Sequence, residues 1–299
     1  MRPGLRFTKM QGIGNDFVLV DGFENPGLDW ARIAIQTCPR HTGIGADGLL
    51  VVVHSDSADV LMRMYNPDGS PDVCGNGMRC VARYVSEKRK TENEILHSSI
   101  PSDPTTQLRN EPTTLTIETL AGIRTALEVA GSGGTVWTVD MGEPRFRPAA
   151  IPMLVDSDRV VDFPVEVLGE QIPLTSLSTG TTHSVILVDE LPSDDRFYQL
   201  SSALEHHPLF PERTSVMWAH KVHSRTLKLR IWERGAGETW GCGTGACAAA
   251  VAAIIHGIAE SPVSVQSKGG SLSVDWSQGG PMLLTGPAEC VFEGVWPVD

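Results

Sequence analysis

Short apolar runs bounded by Gly, Pro, Asn and Asp recur along the chain. They predict strands at residues 17–21, 49–53, 60–65, 115–118, 125–129, 136–140, 185–188, 227–232, 263–266 and 272–275. Helical periodicity is rarer: it marks residues 30–37 and 195–205, and one stretch after each of Cys74 and Cys242. The pattern reads as α+β with mostly β content, not as alternating βαβ units. Gly43-Ile44-Gly45-Ala46-Asp47-Gly48 formally matches a dinucleotide-binding loop. It precedes a strand instead of following one and opening a helix, so it reads as a turn.

Two segments of the chain repeat each other. Cys74-Gly75-Asn76-Gly77 and Cys242-Gly243-Thr244-Gly245 share the form Cys-Gly-x-Gly, lie 168 residues apart, and both open onto an apolar helical stretch. The same offset relates Val18-Leu19-Val20-Asp21 to Ile186-Leu187-Val188-Asp189, which places Asn15 and His183 each 59 residues before its cysteine. Downstream, Leu115-Thr116-Ile117-Glu118 resembles Val263-Ser264-Val265-Gln266 at an offset of 148, so the first half carries about 20 extra residues. Those lie between Glu87 and Thr114 in a polar stretch, about residues 88–113, that predicts an exposed loop. Duplication is the reading, with each half wrapping its strands around the helix that follows its cysteine.

Composition narrows the class. A chain of 299 residues suggests two domains or one large one, and can bury about three quarters of its unfolded surface without staples. A net charge of −12 is the wrong sign for a nucleic-acid or anionic-membrane binder. The apolar run from Ala246 is too short to span a bilayer, and the first twelve residues hold no signal-peptide core. Six cysteines form no C-x-x-C pair and no metal-ligand spacing, so no disulfide framework and no metal site is expected. The expectation is a cytoplasmic protein with reduced thiols, without nucleic-acid or membrane partners.

A cysteine at a helix start sits in a positive field that favours thiolate, and the free amides of the first turn can bind a carboxylate. Two such sites brought together would suit inversion of a stereocentre: one thiolate takes a proton from one face and one thiol returns it to the other. That scheme calls for no cofactor, and the six lysines offer no evident pyridoxal phosphate site. Cys38 and Cys290 are expected as buried inert side chains, and Cys80 and Cys247 as packing residues within their helices. A regulatory disulfide between Cys74 and Cys242 stays open, as does a non-catalytic module that binds carboxylate or senses redox state.

At the level of motifs the chain resembles the diaminopimelate epimerases, amino-acid racemases and epimerases that work without pyridoxal phosphate. The blocks are Phe7-Thr8-Lys9-Met10-Gln11-Gly12-Ile13-Gly14-Asn15-Asp16-Phe17, Arg40 through Gly48, Asn66-Pro67-Asp68-Gly69-Ser70, Cys74-Gly75-Asn76-Gly77-Met78-Arg79-Cys80 and Glu118 through Gly122. Glu233-Arg234-Gly235-Ala236-Gly237-Glu238-Thr239 and Cys242 through Ala246 complete the set. The resemblance implies two pseudo-symmetric β-barrel-like domains, each around a central helix, with the site in the cleft between them. The domain boundaries would be 1–134 joined by a returning strand in 287–299, and 135–286. It implies Cys74 and Cys242 as acid and base, with His183 and Glu233 tuning the thiols. Backbone amides at Gly75, Asn76, Gly243 and Thr244 would hold the α-carboxylate, and Asn15, Asn66, Glu233 and Arg234 would contact substrate. The activity implied is conversion of LL-diaminopimelate to the meso isomer, feeding lysine and peptidoglycan synthesis, with a small amino acid as partner and a homodimer left open.

Three positions depart from the family pattern. Thr181-Thr182-His183 stands where the family has Asn-Pro-His, Ser215 stands where it has a second asparagine, and the loop from Asn66 to Cys74 is one residue shorter. Thr181 and Ser215 keep a hydroxyl but have shorter reach than an amide. They are therefore candidate specificity positions, and a racemase of another amino acid such as histidine is the alternative substrate reading.

Overall fold

A computed structural model describes residues 4–98 and 112–297. The chain divides into two compact units, one of Met1–Gly12, Asp16–Val139 and Gly286–Asp299, the other of Ile13–Asn15 and Asp140–Thr285.

The first unit contains β1 (Gly4–Gly12), β2 (Asn15–Asp21), α1 (Trp30–Thr37), β3 (Gly48–Val53), β4 (Val60–Tyr65), β5 (Pro71–Asp72), α2 (Gly75–Ser98), β6 (Thr114–Thr119), β7 (Gly122–Glu128) and β8 (Val136–Asp140). The second contains β9 (Val160–Val167), β10 (Glu170–Ser178), β11 (Thr182–Val188), α3 (Asp194–Glu205), β12 (Ser215–His223), β13 (Thr226–Glu233), β14 (Gly237–Thr239), α4 (Gly243–Ile255), β15 (Val263–Ser267), β16 (Gly270–Trp276) and β17 (Met282–Pro287). The last strand, β18 (Glu289–Pro297), runs antiparallel to β1 and so belongs to the first unit.

Each unit follows one pairing scheme. β2 and β3 pair in parallel, then β3–β4 and β4–β5 antiparallel, β4–β6 parallel, β6–β7 and β7–β8 antiparallel. In the second unit β11 and β12 pair in parallel, then β12–β13 and β13–β14 antiparallel, β13–β15 parallel, β15–β16 and β16–β17 antiparallel. Ahead of these, β18–β1–β2 matches β9–β10–β11. Duplication of the sequence is thus visible strand by strand, and the chain's final strand supplies the first unit with what β9 supplies the second.

The central helices explain the closure. α4 consists of Ala, Gly, Cys, Val and Ile after Thr244, and residues 245–253 are all buried, so it has no polar face to turn to solvent. It touches β10, β11, β12, β13, β15 and β16, while α2 touches β1, β3, β4, β6 and β7. α1 and α3 cover a second, outer face. Trp30, Ile33 and Ala34 of α1 pack on Leu5, Phe7, Val18 and Val20. Phe197, Leu200 and Leu204 of α3 pack on Val216 and Trp218.

Several readings of the sequence change. The stretch after Glu87 is not a loop at its start: α2 runs on to Ser98, and only part of the polar insertion, residues 99–111, lies outside the described residues. Lys, Arg and Glu are good helix formers, and Arg83 bonds Glu87 one turn on, so the helix continues after its apolar face ends. Cys290 is exposed on β18, not buried. The strands β1, β5, β9, β10, β12, β14 and β17 were not predicted. In β10 the buried side chains include Thr175, Ser176 and Ser178, so no apolar run marks it, and hydroxyls of Thr182 and Ser184 are likewise buried at the start of β11. Their hydroxyls are satisfied internally, for example Ser176 with Ser184 at 2.8 Å and Ser184 with Thr214 at 2.9 Å.

The turn at 43–48 is held by charge. Lys9, buried in β1, donates to the Gly45 carbonyl and pairs with Asp16. Arg40 clamps Asp16 with two bonds of 3.1 and 2.8 Å and reaches Asp47 at 2.6 Å, while Asp47 accepts the Asp16 amide at 3.1 Å. Burial alone would raise the Asp16 carboxyl, but hydrogen bonds from Arg40 and Lys9, reinforced by their charges, hold it at about 2. A depressed carboxyl stabilises the fold above its unfolded value and loses that contribution as pH falls through the folded value. Chemical denaturation between pH 4 and pH 2 is therefore expected to show a loss on the order of 2 kcal/mol that Asp16→Asn removes. An unchanged pH slope in the variant would show that the network adds nothing.

Candidate active site

The two Cys-Gly-x-Gly segments form the same local structure. Gly77 N–H donates to the Cys74 sulfur at 3.4 Å, and Gly245 N–H donates to the Cys242 sulfur at 3.4 Å. The next amides, Met78 and Ala246, bond the carbonyls of Cys74 and Cys242 and begin the helices. The first two amides of each helix, at Gly75 and Asn76 and at Gly243 and Thr244, take no part in those bonds. These are the donors that a helix start offers an anion. The glycine three residues after each cysteine is a packing requirement. A Cβ on Gly245 would lie 2.6 Å from the Met217 thioether, and one on Gly77 would lie 2.9 Å from Leu50.

In the first unit, Cys74 is half-buried behind β5. Asn66, at the end of β4, uses its amide nitrogen to hold Ser70 and Asp72, each at 3.2 Å, so the loop from Asn66 to Cys74 is internally braced. Asn76 is buried, and its side chain accepts from Arg79 at 2.7 Å. Arg79, fully buried, also donates to the Pro287 carbonyl at 3.1 Å, and Arg83 one turn later donates to Ala288 at 2.7 Å. These two arginines tie the first turns of α2 to the start of the returning strand β18. Sequence reasoning placed Arg79 in the motif but gave it no role. Asn15 is the first residue of β2.

In the second unit a chain of contacts gathers the remaining candidates. The Cys242 thiol donates to Glu233, and Thr244 hydroxyl and Gly245 N–H also reach its sulfur. Glu233 is itself steadied by the Thr239 hydroxyl. Arg234 donates its amide to the Ser215 hydroxyl at 3.1 Å and one guanidinium N–H to the Glu212 carbonyl at 2.8 Å. Ser215 pairs with His183 across β11 and β12. His183 Nε2 bonds the Thr181 hydroxyl at 3.0 Å. Thr179, in the turn before β11, donates to the Thr244 carbonyl at 3.2 Å and ties that turn to the start of α4. Thr179 and Thr239 went unrecognised in the sequence as anchors, although Thr239 closes the Glu233 motif.

Electrostatics here corrects one expectation. The helix start was expected to favour thiolate, but Cys242, 6% exposed, has its pKa pushed well above the usual thiol value. Burial is the largest cause and the Glu233 charge the next, and the donors from Thr244 and Gly245 do not outweigh them. His183 is pushed down to about 3 by burial and then by the nearby Arg234 charge, so it is a neutral imidazole at working pH. Its Nδ1 is buried and has no hydrogen-bond partner among the described residues. Burial raises Cys80 to about 12 and Cys38 to about 11, which keeps both as inert thiols.

The chain is similar to known proteins in both sequence and fold. The family profile described as diaminopimelate epimerase matches residues 7–147 and 175–291. The chain is 40% identical over 298 residues to the diaminopimelate epimerase of Pelotomaculum thermopropionicum, covering 98% of this chain and 99% of that one. It is 42% identical over 294 residues to that of Pseudomonas entomophila, covering 97% and 98%. Among solved structures, a hydroxyproline epimerase from Agrobacterium vitis with bound trans-4-hydroxy-L-proline superposes with a TM-score of 0.69 at 16% identity, covering 100% and 94%. A PhzF-family phenazine biosynthesis protein from Bacillus anthracis gives 0.64 at 18% identity, covering 99% and 100%. These two share the fold.

Removing the Glu233 charge should lower the pKa of the Cys242 thiol, because that charge, after burial, is what raises it. Peptide-resolved alkylation across a pH series is expected to show Cys242 labelling begin at lower pH in Glu233→Gln than in the unaltered protein. An onset at the same pH would mean that burial alone sets the thiol.

Proposed function

The chain belongs to the diaminopimelate epimerase family, and from that premise we propose how its own residues act. It is an isomerase that inverts one α-carbon of LL-diaminopimelate to give the meso isomer, and the residue roles below are the reading that the geometry favours. The observation that carries them is the twin helix start, each with a sulfur drawn onto its first turn and two further amides beside it.

The reaction needs a base on one face of the α-carbon and an acid on the other. A thiolate removes the α-proton, forming S–H as C–H breaks, and the electron pair spreads into the adjacent carboxylate. The opposite thiol then delivers its proton to the other face, and the two sulfurs end with exchanged states. Burial and Glu233 hold Cys242 protonated, so Cys242 is the donor in the resting state and Cys74 the base. Carboxylate charge rises in the transition state, and the amides at Gly75, Asn76, Gly243 and Thr244 are the groups suited to receive it.

Diaminopimelate carries an ammonium and a carboxylate at each end. Arg234 spends one N–H on Glu212, and the rest of its planar fork suits the distal carboxylate. Asn15, Asn66 and the Glu233 carboxylate supply acceptors for ammonium groups. Neutral His183, through Nδ1, supplies a further polar contact that supports the thiol chemistry. Thr181 and Ser215 already bond His183 and Arg234, so they act on specificity by fixing those two side chains. The two sulfurs must both be reduced to work, which fits the cytoplasm.

Proton NMR in heavy water tests the scheme. LL-diaminopimelate is expected to lose its α-proton signal as the meso isomer grows. Cys74→Ala and Cys242→Ala should each slow this by about a thousand-fold while still binding substrate. Exchange that persists in either variant would overturn the two-thiol roles, and no exchange with confirmed free thiols would overturn the substrate.

We also propose that the protein works as a homodimer through β18. That strand exposes Val291 and Val295 at 55% and 63%, away from the face on which Phe292 meets Phe7, and apolar surface of this kind on a strand is costly to leave in water. Sedimentation should show a dimer that Val295→Asp converts to monomer. A monomer in the unaltered protein would remove this assignment.

A further inference from the structure

Glu205 ends α3 with its side chain buried, at 3% exposed. Two costs oppose a carboxylate there: the loss of water, and the negative end of the helix dipole. Three donors offset them. Gly235 N–H reaches Oε1 at 2.8 Å, Arg213 reaches the same oxygen at 3.1 Å, and Trp232 Nε1 reaches Oε2 at 2.7 Å. Two of the three donors flank the pair Glu233-Arg234 in sequence, one on each side.

That pair sits in the tight connection between β13 and β14. Gly235 and Gly237 both adopt positive φ, at +80° and +79°, and Ala236 N–H bonds the Glu233 carbonyl. Arg234 is held at its own amide by Ser215 and at its guanidinium by Glu212. The residue after it is held by Glu205, and the residue before Glu233 by the same carboxylate. A turn of this kind has few apolar contacts of its own, since Arg234, Gly235 and Ala236 are exposed. Its conformation is therefore set by these bonds and not by packing.

We infer that Glu205 is a positioning residue for the reaction: it fixes the Glu233-Arg234-Gly235 turn, and through it the acceptor on the Cys242 thiol and the guanidinium for the distal carboxylate. The inference rests on the roles proposed above for Glu233 and Arg234. Glu205 does not touch the substrate; it acts by holding the two side chains that do.

Glu205→Gln separates this from a merely structural role. A glutamine offers one acceptor oxygen where the carboxylate offers two, so the amide must turn its NH2 toward either Gly235 N–H or Trp232 Nε1–H. Arg213→Gln is the control, because it removes the one donor that lies outside the turn and leaves the Gly235 and Trp232 bonds in place. Kinetics with LL-diaminopimelate, thermal unfolding and the pH onset of Cys242 alkylation are measured on the unaltered protein and both variants. In Glu205→Gln we expect kcat to fall and KM to rise, with kcat/KM lower by about a hundred-fold. The Cys242 onset should move to lower pH. Arg213→Gln should stay within about three-fold of the unaltered kcat/KM, even at a similar loss of melting temperature. Equal losses of rate in the two variants, or a Glu205→Gln enzyme with unaltered kinetics and alkylation onset, would overturn the inference. An unaltered protein that fails to turn over would instead overturn the functional reading beneath it.

Discussion

The donation of a backbone N–H to a cysteine sulfur at the start of a buried helix is the constraint on which the two units depend. It fixes where each sulfur sits, because the donor is the third residue of a helix that cannot move. α4 has no polar face and is enclosed by six strands of its own unit. Shifting its first turn would mean repacking Met217 against Gly245. The same bond fixes what the helix start can do next. The third and fourth amides are engaged by the cysteine, and the first two take no part in those bonds. The sulfur and the amides proposed to hold the carboxylate are thus placed by one local motif, and Gly77 and Gly245 are there because a side chain would collide.

Repetition of the scaffold does not make the two sulfurs equivalent. The offset that relates Cys74 to Cys242 also relates Asn15 to His183, and the register of β4 on β6 and of β13 on β15 makes Asn66 the counterpart of Glu233. A neutral amide in one repeat therefore stands where the other has an imidazole, and another stands where the other has a carboxylate. The Cys242 thiol has the Glu233 carboxylate against it, and that charge, added to burial, pushes its pKa up. A racemising pair needs one acid and one base at any moment. The duplicated frame supplies two equivalent positions, and unlike side chains around them set the initial state.

Charged groups elsewhere serve the frame. Lys9, Asp16, Arg40 and Asp47 anchor a glycine-rich turn that packs on the core through Ile44 and Ala46. Arg79 and Arg83 spend guanidinium donors on the carbonyls of Pro287 and Ala288, which fastens the chain's last strand to the helix that carries Cys74. In the second unit, hydroxyl pairs such as Ser176 with Ser184 occupy positions where an apolar side chain would be expected. Each case places a polar group in the interior with its partner, which keeps the desolvation cost compensated.

The sequence by itself determined the α+β class, the duplication, the four helices and the two cysteines. Those features are local: apolar periodicity, a repeated Cys-Gly-x-Gly and a constant offset are written in neighbouring residues. It also marked Glu233, Arg234 and His183 through the resemblance of their motifs. Tertiary structure alone decided the rest. The strands β10 and β12 have no clear pattern, because their buried faces carry hydroxyls or run unbroken into polar residues. The extension of α2 to Ser98 escaped notice because a polar helix and a polar loop have similar composition. The protonation of Cys242 could not be read either. A helix start argues for thiolate, and only burial together with the position of Glu233 reverses that, since desolvation and charge act through space and not along the chain.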